Sequence, residues 1–304
     1  MSKPAILVFA YHDVGYECLD ALIQNDEYIL AVITHKDDPN EEIWFRSVAG
    51  LAKKYDIPVH APESVNSPDW IEKIRFWAPD LILSFYYRNV IAEEILSIPR
   101  LGAFNMHGSL LPKYRGRAPI NWAVLNNEKQ TGVTLHHMVK RADTGDIVDQ
   151  EAVPIGPEDT AQDVFGKAAF AARSVLVRQI DALTSGAAPR RIQDESQATT
   201  FGGRKPEDGR IDWTASADSI YHLVRAVTQP YPGAFTEAGG RKMFIWWAKP
   251  AGTSKGAPGE VLSLDPLLVA TGNGSLEIIN MEWEETDDAS TEEPELIVGQ
   301  VLGK

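Results

Sequence analysis

The segment Ala5-Ile6-Leu7-Val8-Phe9-Ala10 is apolar at every position and stops abruptly at Tyr11-His12-Asp13. Successive side chains on a strand point to opposite faces, so a strand with no polar position has to be covered on both. Strands of that kind belong to parallel sheets flanked by helices, and this constrains the fold more than any other feature of the chain. Further apolar runs follow at residues 29–34, 58–60, 81–85 and 103–106, separated by helix-patterned stretches at residues 15–22, up to residue 55, and at 68–77. The alternation predicts an α/β domain built on a Rossmann-like, doubly wound, mostly parallel sheet. The turn after the first run carries neither the three-glycine dinucleotide fingerprint nor the Gly-Lys-Ser/Thr phosphate loop, so the pattern speaks for the fold and not for a nucleotide.

Ligands of such sheets bind beyond the carboxyl ends of the strands. The run at residues 103–106 reaches that edge with Phe104-Asn105-Met106-His107 and then turns at Gly108. Positions i and i+2 of a strand share a face, so Asn105 and His107 point the same way while Phe104 and Met106 face the other side. An amide donor for a developing oxyanion and an imidazole for proton transfer are the two parts acyl transfer needs. The stretch from Gly108 to Pro119 is too rich in Gly and Pro for a helix or strand, yet carries Lys113, Arg115 and Arg117. Its backbone N–H groups and basic side chains can lie over an acidic ligand.

Acidic residues number 43 against 29 basic ones, for a net charge of −14, and a balance of that sign repels nucleic acid. The basic residues cluster only around positions 113–117 and 140–141, which suits a small anionic ligand better than a phosphate backbone. No window approaches the roughly 18 uncharged apolar residues of a membrane span, and a cytoplasmic location is the expectation. The single cysteine, Cys18, lies among Gly15, Leu19 and Leu22 and reads as one side of a buried helix. His136 and His137 adjoin on a predicted strand and face opposite ways, so they cannot share a metal; no metal site is expected.

A helix at residues 119–125, strands at 133–139 and 147–153 and a long helix at 160–183 complete the first half. Residues 193–208 are polar and contain glycine, as a linker would be. One helix near residues 217–227 precedes short strands at 234–236, 242–247, 259–262, 267–271 and 276–281, the spacing of a small β-barrel. The acidic run over residues 282–295 reads as a solvated loop.

Asn105-x-His107-x-Ser109-Leu110-Leu111-Pro112, with Arg115-Gly116 and Ala118-Pro119 after it, resembles the signature of the 10-formyltetrahydrofolate-dependent formyltransferases. Met138-Val139-Lys140-Arg141-Ala142-Asp143-Thr144-Gly145-Asp146-Ile147 matches the loop that carries the family's aspartate. The resemblance implies a catalytic domain over residues 1–190, a linker over 191–208 and an OB-like domain over 209–304. It implies Asn105, His107 and Asp143 as catalytic residues, and Asn89, Val90, Ile91, Arg117, Val139, Lys140, Arg141, Ala142 and Asp143 as folate-binding ones.

The segments Phe9-Ala10-Tyr11-His12-Asp13 and Ser84-Phe85-Tyr86-Tyr87-Arg88 are most similar to formyltransferase domains of bifunctional enzymes that act on UDP-4-amino-4-deoxy-L-arabinose for lipid A modification. The implied co-substrate is 10-formyltetrahydrofolate, the partners are small molecules, and a homo-oligomer or fusion to a decarboxylase domain fits the same resemblance. Methionyl-tRNA formyltransferase is the alternative, but it resembles a chain with a basic insertion where this one has Asp37-Asp38-Pro39-Asn40-Glu41-Glu42. A non-catalytic folate-binding or scaffold protein is the other.

Overall fold

A computed structural model of the chain describes residues 3–39, 42–253, 255–285 and 293–303. Two compact units are formed, one from Met1–Pro119, Gln130–Pro154 and Val164–Gly202, the other from Ile120–Lys129, Ile155–Asp163 and Gly203–Lys304. In chain order the elements are β1 (Ile6–Ala10), α1 (His12–Gln24), β2 (Ile29–Ile33), α2 (Val48–Lys54), β3 (Val59–His60), α3 (Pro68–Trp77), β4 (Leu81–Phe85), α4 (Glu93–Leu96), β5 (Ala103–His107), β6 (Arg115–Gly116) and α5 (Pro119–Leu125). They continue with β7 (Gln130–His137), β8 (Ile147–Pro154), α6 (Ala161–Ser185), β9 (Thr200–Phe201), α7 (Ala217–Val227), β10 (Ala234–Ala238), β11 (Arg241–Pro250), β12 (Val261–Leu264), β13 (Leu267–Ala270) and β14 (Ser275–Trp283).

The central sheet has the order β3-β2-β1-β4-β5-β7-β8. The first five strands are parallel, and β7 and β8 add an antiparallel edge. All five residues of β1 and of β4 are buried, as an unbroken apolar run between two helical layers requires. Leu7, Phe9, Ile33, Ile74, Ile82 and Ile95 form the core on one face. Fully burying side chains of this size contributes about 1.5–3 kcal/mol each. The helices are stopped and started by local chemistry: the Ser47 hydroxyl accepts from Gly50 N–H at the head of α2, while Pro68 opens α3 and Ala78, left-handed at φ +46°, ends it.

Cys18 is fully buried on α1, and burial pushes its thiol far above the ordinary range, so it is an inert packing residue. The strand expected at residues 133–139 instead spans Gln130–His137. Its polar first residue is held by pairing with Pro154, and at the other end the last rung to β5 runs from Met138 N–H to the carbonyl of Ala103 at 2.8 Å, Ala103 being the residue with which β5 begins.

In the second unit the five strands form an antiparallel sheet of order β10-β11-β14-β13-β12. Residues 299–303 bridge its two edges: Leu302 N–H donates to the Gly259 carbonyl at 2.8 Å and Gly303 N–H to the Glu237 carbonyl at 2.7 Å. Strand β14 runs two residues into the acidic run, where Glu282 accepts from Trp246 Nε1 at 2.8 Å and Glu284 pairs with Lys242 at 2.8 Å. Residues 286–292 of that run lie outside the described residues, as do residues 40 and 41 of the earlier acidic loop.

Candidate active site

Register decides what Asn105 and His107 face. In the antiparallel pair β5/β7, Asn105 stands opposite His136 and His107 opposite Thr134. Directly opposed residues share a face, so Asn105, His107 and His136 project from the same side of the sheet near the carboxyl end of β5. The chain between β7 and β8 folds back over that side and delivers Asp143. From the sequence His136 suggests no more than a metal ligand to be excluded, yet it stands in the middle of the group. His137 points the other way, its Nε2 3.0 Å from the Pro189 carbonyl.

Backbone carbonyls can only accept, and this fixes the neutral tautomers. His107, 6% exposed, lies with Nε2 at 2.8 Å from the Tyr114 carbonyl; Nε2 carries the hydrogen, and the lone pair on Nδ1 faces Asp143 Oδ1 at 3.5 Å. His136 donates from Nδ1 to its neighbour's carbonyl at 2.9 Å, which leaves Nε2 as an acceptor. That nitrogen takes a hydrogen from Asn105 Nδ2 at 3.2 Å and lies 3.6 Å from Asp143 Oδ1. One hydrogen of the Asn105 amide is thereby committed, which orients the group and leaves the other for a substrate oxygen.

Burial raises the Asp143 carboxyl, but His107, the contacts with His136 and the Gly116 N–H at 3.0 Å from Oδ2 outweigh it and hold the group below the usual carboxylate range. For His107 the largest influence is burial, which lowers it; Asp143 and the Tyr114 carbonyl oppose, His136 lowers it further, and the net direction is down. The carboxylate raises the imidazole, but burial wins. At neutral pH His107 is an unprotonated base beside an anion that stabilises its charged form.

Two glycines allow the loops to meet. Asp143 is left-handed at φ +58°, and a Cβ at Gly145 would collide with the His137 carbonyl. Gly116, at φ +98°, packs so closely on the Phe201 carbonyl that a side chain there is excluded. Tyr86, Tyr114 and Ala118 also have positive φ, so left-handed backbone gathers at the segments around His107.

Of the basic residues on the loop after His107, Lys113 and Arg117 are exposed, but Arg115 is 3% exposed and bound to Gln193 and Glu195. It therefore does not face a ligand. Asn89 and Val90 are exposed; Ile91 is 4% exposed and belongs to the core. The Val90 carbonyl accepts from Asn66 Nδ2 at 2.8 Å and Ala92 N–H donates to Asn66 Oδ1 at 2.8 Å, so one side chain pins this segment. Val139, Lys140, Arg141 and Ala142 are exposed on the loop leading to Asp143, and Lys140 lies 3.5 Å from Glu93. Among the described residues no group of three or more His, Cys, Asp or Glu could hold a metal ion, and no helix is long and apolar enough to cross a membrane.

The structure is similar to HypX from Aquifex aeolicus, solved with tetrahydrofolic acid: 19% identity and a TM-score of 0.65 over 93% of this chain and 45% of HypX. This chain thus spans less than half the length of HypX. It is also similar to the N-formyltransferase from Helicobacter canadensis solved with folinic acid and dTDP-3-aminofucose, at 20% identity and a TM-score of 0.67 over 90% of this chain and 98% of that one. A sugar N-formyltransferase from a Shewanella species matches at 18% identity with a TM-score of 0.64 over 79% and 95% of the respective chains. At these identities the likeness shows a common fold. The formyl transferase family profile matches residues 2–180, and that of the formyl transferase C-terminal domain matches residues 204–294. With more than half of its length matched by the first profile alone, this chain belongs to the formyl transferase family.

Proposed function

We propose that this protein transfers a formyl group from 10-formyltetrahydrofolate to the amine of a nucleotide-linked amino sugar, with UDP-4-amino-4-deoxy-L-arabinose as the acceptor. The observation that carries the reading is the single-faced group of Asn105, His107, His136 and Asp143, with an amide donor, a neutral imidazole and a carboxylate within 3.6 Å steps of one another. The solved structures support formyl transfer to a sugar amine through their ligands, folinic acid with dTDP-3-aminofucose in one and dTDP with 5-N-formyl-tetrahydrofolate in another.

The exposed run Val139–Ala142, Arg117 and the segment Asn89–Ile91 would hold the folate, because exposed Lys140, Arg141 and Arg117 suit its carboxylates and backbone groups suit a pterin. When bound, the folate supplies an activated formyl group. In the transfer, a bond forms between the acceptor nitrogen and the formyl carbon, the bond from that carbon to N10 breaks, and one proton passes from the amine to N10. Asn105 donates its second amide hydrogen to the formyl oxygen as negative charge develops there, a contribution of about 3–4 kcal/mol for one such donor. His107 takes the amine proton on Nδ1, and Asp143 stabilises the imidazolium until the proton is passed on.

The acceptor assignment rests on the similarity of Phe9–Asp13 and Ser84–Arg88 and on charge. A tRNA reader neutralises several phosphates, whereas Asp37, Asp38 and Glu42 bring negative charge to the loop after β2, and Asp37 is held there by the Tyr11 hydroxyl at 2.9 Å. The test is incubation with 10-formyltetrahydrofolate and a panel of nucleotide-linked amino sugars, beside methionyl-tRNA, read by mass. A one-formyl gain on the UDP-linked 4-amino sugar is expected. Faster gain on methionyl-tRNA overturns the acceptor class, and no gain on any acceptor overturns the activity.

A further inference from the structure

Residues 181–203 fall between the two family matches, and from residue 193 on their composition is that of a linker. In the structure they are sewn into the site. Thr199 Oγ1 accepts from Tyr114 N–H at 2.8 Å, the Thr199 carbonyl from Arg115 N–H at 2.9 Å, and β6 pairs in parallel with β9. These contacts fix the loop whose Tyr114 carbonyl orients His107 and whose Gly116 N–H binds Asp143. One side chain ties this loop to the other. Gln193, 6% exposed, donates from Nε2 to the Asp143 carbonyl at 2.9 Å and to the Gly145 carbonyl at 2.7 Å. Its Oε1 accepts from Arg115 Nη2 at 2.7 Å and Nε at 3.2 Å. Arg115 is held in turn by Glu195, at 2.6 and 2.9 Å.

We infer that Gln193 is a positioning residue of the active site, and that the Glu195–Arg115–Gln193 chain sets the orientation of Asp143 toward His107. The amide is the one side-chain type that meets these demands at once: an oxygen for a guanidinium and an N–H₂ group for two carbonyls. Asp143 is left-handed at φ +58°, so it stays in place only if its neighbours over-determine it. Gly116 N–H holds one carboxylate oxygen; Gln193 holds the backbone on either side of Thr144. Without Gln193 the loop keeps its fold-back but loses its fixed distance to the two imidazoles. The charged groups around this chain are Arg115 and Glu195 themselves, with Arg141 acting on Glu195. The titratable groups that face His107 are Asp143 and His136.

The test compares Gln193→Met, Asp143→Asn and their double variant in the full-length protein. The kinetic arm rests on the proposed formyl transfer; a second arm, the titration midpoint of the His107 ring followed by NMR in histidine-labelled protein, needs no substrate. In Gln193→Met the midpoint is expected to move below wild type, in the direction set by Asp143→Asn. The turnover number is expected to fall by about ten- to a hundredfold, the loss typical of a misplacement near 1 Å, with KM within about threefold. In the Asp143→Asn background the same change is expected to cost less than about threefold more, because its effect runs through the carboxylate. Arg115→Lys keeps the charge but loses the fork, and is expected to move the midpoint the same way by less, which serves if Gln193→Met fails to fold. A folded Gln193→Met or Arg115→Lys protein with the wild-type His107 midpoint, or full additivity with Asp143→Asn, overturns the inference.

Discussion

Asp143→Asn is the most informative change, because it removes one charge and almost no volume. Asp143 Oδ1 lies 3.5 Å from His107 Nδ1, and both side chains are largely withdrawn from water, at 12% and 7% exposure. Opposite unit charges about 4 Å apart attract by about 4 kcal/mol at an effective dielectric near 20. Charge pairs of this kind favour the protonated imidazole by about 1.4–4 kcal/mol. The asparagine also introduces a donor where the carboxylate accepted, and its amide hydrogen can occupy the Nδ1 lone pair of His107.

Both effects oppose protonation, so His107, already below its ordinary value, falls further. The protonated form is less stable in the transition state by the same free energy, and kcat/KM for formyl transfer is expected to drop by about ten- to a thousandfold. The acid limb of the pH profile should move to lower pH, since the unprotonated base persists further into acid. Steady-state release of tetrahydrofolate, measured across pH with the acceptor that proves active, reads both quantities. Retention of activity within threefold of wild type, with an unmoved acid limb, would refute the assignment of Asp143 as partner of His107.

Asn105→Ala should lower kcat by about a hundredfold or more with the fold intact, as for loss of one oxyanion donor, and a thermal melt beside the assay separates the two. His12 is expected to make the protein acid-sensitive. Burial, with Arg88 second, depresses it to about 3, so the unfolded chain binds an extra proton between roughly pH 6.5 and 3 and stability falls as pH drops through that window. His12→Asn, which tolerates the φ of +65° there, should flatten the dependence by up to about 1.4 kcal/mol per pH unit, read by denaturant unfolding between pH 4 and 7. An unchanged slope would assign the sensitivity to other groups. Dialysis against a chelator should leave turnover intact, and recovery on adding zinc after a loss would reveal a metal role for the site histidines.

Much of this architecture is written locally. An apolar run such as Ile6–Ala10 demands cover on both faces wherever it lies, and the two-residue spacing puts Asn105 and His107 on one side of any strand. Helix boundaries such as Pro68–Trp77 depend on the first turn and the last, so neighbouring residues suffice to place them. The motif likewise linked Asp143 to His107, although geometry alone would not have. What the chain order hides is register and burial. His136 joins the site only because β7 pairs antiparallel with β5 so that it stands opposite Asn105; a one-residue slip would turn it to the other face and bring His137 in. Arg115 reads as a ligand-facing cation until Gln193 and Glu195, far along the chain, are seen to enclose it. The net lowering of His107 is also a tertiary result, since desolvation depends on everything packed around the ring while the opposing carboxylate is a single neighbour. Strand propensity and motif spacing are properties of adjacent residues, whereas pairing partners and local dielectric exist only once distant segments have closed on one another.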